Sequence, residues 1–235
     1  MPRYDDLSGP ALREDRWQYL QVPLDDTRTW TYREPDAKTD VGEGVVAVRV
    51  DEFTRSHSQV QILDNPKHLL VSTEEFDLTA GPRTFSVEMA AENIGTGGED
   101  YRDGFAAFNV LDMTSADVFD LVVTSRHAYA IHERLFVPGV VDPGDAFTHV
   151  VHASLAGVDI APARFRRYAV TVAPEQRRVT WQIDGNPVFT ARPESLPTAV
   201  RIGFGLITLH PIREGRSTSL RGQGLHGHWR HFDIS

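Results

Sequence analysis

Val179-Thr180-Trp181-Gln182-Ile183-Asp184-Gly185-Asn186-Pro187-Val188-Phe189 reads as an antiparallel hairpin. Val179, Trp181 and Ile183 fall on one side of an extended chain, and Thr180 and Gln182 fall on the other. Asp184-Gly185 then supplies the pair of positive backbone angles that a tight two-residue hairpin turn demands. One face is apolar and one is polar, so the hairpin lies half-buried on a core.

The same alternation recurs outward from this hairpin. Phe85, Val87 and Met89 oppose Ser86 and Glu88; Phe119, Leu121 and Val123 oppose Val118, Asp120 and Val122; Tyr168, Val170 and Val172 oppose Ala169 and Thr171. Strands are expected near 15–23, 27–32, 44–53, 58–63, 68–73, 83–92, 104–111, 117–124, 126–135, 147–155, 164–173, 177–183, 186–191, 199–209 and 225–234. Helical periodicity is nearly absent, and Gly-Pro and Pro-Gly pairs punctuate the strand boundaries. Many short strands with few helices predict an all-β chain: two stacked antiparallel sheets, a β-sandwich of the jelly-roll kind. No linker or composition shift divides residues 1–235, so a single domain is expected. Loops 93–103, 136–146 and 211–224 are long, and 93–103 and 211–224 are expected to cover part of a pocket on a concave face.

Composition narrows the function. A net charge of −9 argues against a nucleic-acid surface. No cysteine is present, which removes disulfides, thiolate nucleophiles and Cys-ligated zinc. No apolar run is long enough to cross a membrane. The polar start Met1-Pro2-Arg3-Tyr4 lacks a signal-peptide pattern, giving the expectation of a cytoplasmic protein. Gly222-Gln223-Gly224-Leu225-His226-Gly227 matches a dinucleotide fingerprint in letters only, since no strand–turn–helix unit can follow before Ser235. No cofactor is expected. Oligomeric state has no sequence signal.

Two segments carry a family resemblance. Arg167-Tyr168-Ala169-Val170 followed by Trp181-Gln182-Ile183-Asp184-Gly185-Asn186-Pro187-Val188 resembles the W-x-x-D-G-x-x-V hairpin of the concanavalin A-like lectin/glucanase superfamily, in particular its laminarinase-like glycoside hydrolases. His228-Trp229-Arg230-His231-Phe232 is similar to the closing strand of that fold. The resemblance implies a concanavalin A-like jelly roll. It further implies a catalytic strand on which two glutamates flank an aspartate at alternating positions. Here that strand matches Val118-Phe119-Asp120-Leu121-Val122, where valine holds both glutamate positions. One carboxylate flanked by valines does not furnish both a nucleophile and an acid; the alternative cluster is His132-Glu133 on the next strand.

Candidate catalytic residues are therefore Asp120, Glu88, Asn109 and His132. An acid among apolar neighbours has a raised pKa and can exchange protons near neutral pH. Glu88 and Glu92 share a strand face that Asn109 and Asp120 are expected to approach, and a histidine near a carboxylate suits proton transfer. Glu92, Val118, Val122, Trp30 and Glu133 are the candidate substrate-binding residues. Trp17 and Trp30 are placed at the edge of a cleft, with Trp181 and Trp229 in the core. His226 and His228 share a face at a spacing metals use, but a zinc site needs one or two more ligands, so no metal is assigned.

The expectation that follows is an enzyme with a hydrophobic cleft acting on a small, mostly apolar metabolite. Its reaction would be a non-hydrolytic cyclisation or isomerisation of specialised, polyketide-type metabolism. The alternative is a glycoside hydrolase or polysaccharide lyase, or a carbohydrate-binding sandwich without chemistry.

Overall fold

The computed structural model describes residues 3–23, 27–53, 66–137, 139–209 and 222–235. Strands in chain order are β1 (Arg3–Asp5), β2 (Trp17–Tyr19), β3 (Gln21–Pro23), β4 (Thr29–Thr31), β5 (Lys38–Gly42) and β6 (Val45–Val50). Then come β7 (Pro66–Ser72), β8 (Phe76–Asp77), β9 (Arg83–Ile94), β10 (Phe105–Asp112), β11 (Asp117–Val123) and β12 (Ala128–Arg134). The chain closes with β13 (Phe147–His152), β14 (Arg166–Ala173), β15 (Arg178–Ile183), β16 (Asn186–Ala191), β17 (Ala199–Ile207) and β18 (Gly224–Ile234). The segment expected at 58–63 lies outside the described residues, as does most of loop 211–224. The short strands β1, β5 and β8 carry little apolar alternation and escape a pattern reading.

The strands form two antiparallel sheets. The first runs β16-β15-β14-β9-β18-β6-β5, with β1 also pairing β18. The second runs β13-β12-β11-β10-β17-β7-β2, with β8 also pairing β17. A separate ribbon pairs β3 with β4. The expected all-β jelly-roll sandwich is the fold observed.

The opening hairpin is β15–β16. Asp184 and Gly185 have φ values of 50° and 80°, the two positive angles of a type I′ turn. Asp184 is further tied down by accepting from the Arg167 backbone N–H at 2.9 Å and from Arg166 at 2.6 Å. Trp181 pairs Phe189 while Gln182 pairs Pro187, so Val188 is an extra residue and Pro187 sits at a bulge on an edge strand, where it needs no ladder hydrogen bond.

The inner faces of the two sheets meet in one core. Val179, Trp181 and Ile183 of the first sheet are fully buried there with Phe108, Phe119 and Phe204 of the second. Trp229 donates its indole N–H to the Ala107 carbonyl at 3.0 Å, so its one polar atom is satisfied across the sandwich. Trp17 is a core residue too, bonded to Asp5 at 2.7 Å and packed on Phe204 and Phe232, which corrects its placement at a cleft edge.

Facing the core consumes every second residue of β10, β11 and β12. Phe119, Leu121 and Val123 point inward, and so Val118, Asp120 and Val122 point to the outer face of the second sheet. On β12, Ala128 and Ala130 point inward; Tyr129 and Ile131 point outward. This parity places the candidate site.

Candidate functional site

The outer face of the second sheet carries a hollow of about 150 Å³. Its floor is built from β10, β11 and β12, with Asn109, Leu111, Val118, Asp120, Ile131 and Glu133 lining it. Beside the floor, β17 and β7 run close together: Gly203 pairs Val71, and Gly205 pairs Leu69. A Cβ at Gly205 would come within 2.1 Å of the His68 carbonyl oxygen, so the close approach of β7 and β17 admits only glycine there.

The walls come from outside the sheet. Val22 and Tyr32 belong to the β3–β4 arm, which is held to β7 by backbone bonds from Leu20 N–H to the Leu69 carbonyl (2.9 Å) and from Leu69 N–H to the Tyr32 carbonyl (3.0 Å). Tyr101 closes another side. It starts a 3-10 turn whose Asp100 side chain accepts from the Arg102 N–H, and its ring lies 5.0 Å from that of Tyr129. Loop 93–103 thus contributes a wall, fixed by Thr124 Oγ1 donating to the Gly98 carbonyl and by the Asn93 amide donating to the Gly104 carbonyl. Leu135, Val137 and Val150 complete the rim.

Two acids enter this apolar space from neighbouring strands. In the β11–β12 register Val118 opposes Glu133 and Asp120 opposes Ile131, so Asp120 and Glu133 are diagonal neighbours on one face. Diagonal residues lie about 7–8 Å apart at the backbone, within reach of longer side chains. Asp120 is 4% exposed, and its Oδ1 has no hydrogen-bond partner. Burial raises its pKa well above the usual carboxylate range, the charge of Glu133 raises it further, and a hydrogen bond with Asn109 opposes both. Burial likewise pushes Glu133 up to about 7, against a hydrogen bond from Thr148 Oγ1 at 3.1 Å. The two acids titrate as a pair, and near neutrality the pair retains a proton. No arginine or lysine lines the hollow among the described residues.

The other expected site residues are dispersed. Asp120, Asn109, Val118 and Glu133 line the hollow, and Val122 packs behind it with Phe105 and Ile131. Glu88 does not join them. It lies on the outer face of the first sheet, across the sandwich, with its carboxylate on Arg230 at 2.8 Å and His231 at 3.3 Å. Glu92 is exposed on that same outer face, opposite His226. His132 has the inward parity of β12. Its ring sits between Phe119 (5.3 Å), Phe147 (4.9 Å) and Trp181 (5.8 Å), and burial depresses it to about 4, so it is a neutral ring inside the sandwich. Trp30 packs beside Tyr32 and stays behind the wall.

The rings of His226 and His228 lie 4.0 Å apart, tilted by 47°, on the first sheet's outer face. Among the described residues no three His, Asp or Glu side chains are arranged to hold a metal ion.

The chain belongs to a family of unknown function, DUF6081, whose profile matches residues 4–235. No curated protein matches the sequence. Solved structures share the fold along nearly the whole chain. The endo-β-1,3-glucanase from Pyrococcus furiosus aligns with a TM-score of 0.55 at 13% identity, covering 98% of this chain and 94% of that one. An alginate lyase of polysaccharide lyase family 7 aligns with a TM-score of 0.54 at 11% identity, covering 94% of each. The Bacillus licheniformis β-glucanase aligns with a TM-score of 0.52 at 15% identity, covering 94% and 92%.

At such identities the likeness establishes the concanavalin A-like jelly roll and leaves the activity to the site. It also corrects one expectation. The neighbours in fold are glucanases and a polysaccharide lyase, and none of them supports the reading as a cyclase or isomerase.

Proposed function

We propose that this DUF6081 member cleaves the glycosidic bond of an uncharged saccharide conjugate by acid–base catalysis, with Asp120 as the acid and Glu133 as the base. One observation carries the reading: two carboxyl groups, one without a hydrogen-bonding partner on Oδ1, share a secluded face of the sheet with no cation among the described lining residues. Structural carboxylates are ordinarily paired with a cation or saturated with N–H donors. A pair held apart from both keeps a proton near neutral pH, the state a general acid and a general base require together.

In the reaction, Asp120 gives its proton to the leaving oxygen as the bond from that oxygen to the anomeric carbon breaks. Glu133 takes a proton from the water whose oxygen bonds to the same carbon. Transfer of that proton from Glu133 back to Asp120 restores the pair, and one water is consumed. Asn109, hydrogen-bonded to Asp120, supports the negative charge left on it. Thr148 does the same for Glu133 from β13.

Cleavage of an anionic polysaccharide by elimination fits poorly. A uronate brought beside two acids needs a cation to offset its charge, and the described lining offers none.

The test is a panel of β-glucans, gluco-oligosaccharides and alkyl and aryl glycosides incubated with the whole chain. Sugar release from at least one substrate, lost in both Asp120→Asn and Glu133→Gln variants that remain folded, is the expected result. Release that survives both substitutions, or no release from any glycoside, overturns the proposal.

A further inference from the structure

The lining of the hollow identifies what sits next to the acids. Resting on the acid–base reading above, we infer that the group bound in the hollow is an uncharged apolar ring or short alkyl chain, so that the substrate is a glycoside of an apolar alcohol or phenol and not a chain of sugars.

The hollow is asymmetric. Asp120 and Glu133 stand on β11 and β12, at one side of the hollow. From there the space continues across Val118, Leu111 and Ile207 to Leu69, Val22 and the ring of Tyr32, all apolar side-chain surface. Its volume of about 150 Å³ is the size of an apolar cavity that takes one benzene ring. A pyranose ring of similar bulk brings several hydroxyls, and each one buried without a partner opposes binding. Thr148 stands on the side of Glu133, where the sugar would lie, and Asn109 stands beside Asp120. Charge excludes the other occupants: an anion meets two acids, and a cation would hold both acids ionised and so remove the proton that the leaving oxygen needs.

Binding and cleavage are read separately. Isothermal titration of the whole chain compares hexyl β-glucoside, n-hexanol, hexylamine and laminaritetraose at pH 7; the same sugars are then assayed for release of hexanol or glucose. Hexyl glucoside is expected to bind at least tenfold more tightly than laminaritetraose, n-hexanol to compete with it, and hexanol to be released. Val118→Thr keeps the shape of that side chain while adding a hydroxyl, and is expected to weaken hexyl glucoside binding at least threefold. Leu69→Ala, at the far end, is expected to do the same if the first variant does not fold. Hexyl glucoside that binds as expected and is not cleaved supports the apolar occupant and overturns the catalytic reading instead. Laminaritetraose binding as tightly as hexyl glucoside, hexylamine binding more tightly than hexanol, or binding unmoved in a folded Val118→Thr or Leu69→Ala variant overturns the inference.

Discussion

The two outer faces of this sandwich are made in the same way and have opposite characters. On the first sheet, Glu88 accepts from Arg230 and lies against His231, Arg230 stacks over Phe165 at 4.2 Å, and Arg167 reaches Ser86 at 2.7 Å. On the second, Asp120 and Glu133 face aliphatic side chains and each other. Burial disfavours the charge of Glu88 as it does theirs, but the bonds from Arg230 and His231 more than offset it and bring that carboxyl below its ordinary value. A cation partner and partial exposure hold Glu88 in its charged form, and Asp120 has neither.

The largest expected effect contrasts the two faces directly. Asp120→Asn should lower glycoside cleavage by about 10²–10⁴-fold, the contribution of a positioned proton donor, while Glu88→Gln should leave the rate within about twofold. Initial rates on the best substrate of the panel check both. Equal losses would erase the distinction between the faces.

A second contrast compares neighbours on one strand. Phe119→Ala removes a ring packed on Trp181 and should cost about 3–5 kcal/mol in urea unfolding. Val118→Ala faces the hollow and should cost about 1 kcal/mol, since less of its contact surface is packed core.

The acids should also give opposite pH dependences. Glu133 has a folded pKa raised from 4.5 to about 7, so its contribution to stability is complete below about 4.5 and is lost as pH rises through about 7. Glu133→Gln should therefore be more stable than the parent at pH 8, by on the order of 2 kcal/mol, and should match it near pH 4. Glu88 has a lowered pKa, so its contribution is present above its unfolded value and is lost as pH falls. Glu88→Gln should cost about 1 kcal/mol at pH 7 and progressively less in acid. Thermal unfolding across pH 4–8 resolves both signs.

How much of this can be read in one dimension follows from the same comparison. Alternation shows that Val118, Asp120 and Val122 share a side, and that Glu133 opposes His132, because side chains alternate along any strand. It does not say which side faces the partner sheet when both carry apolar groups. That is why His132, followed by Glu133 and Arg134 in sequence, reads as a site residue while packing inside the sandwich. Glu88 and Asp120 carry equivalent signals, and only the order of strands separates them by the thickness of two sheets. The pairing of Asp120 with Glu133 was within reach: counting back from the short turn between β11 and β12 makes them diagonal neighbours. The walls were not, because Tyr32 and Val22 arrive through a ribbon with no alternation of its own, and the need for glycine at 203 and 205 has no meaning until β7 lies beside them.

A carbon-13 titration of the side-chain carboxyls, followed by NMR on the whole chain from pH 3 to 9, tests the central claim most directly. The account predicts that Asp120 and Glu133 titrate together, with midpoints above the ordinary carboxylate range and one of them near 7, while Glu88 titrates below its ordinary value. Independent midpoints near 4 for Asp120 and Glu133 would contradict it.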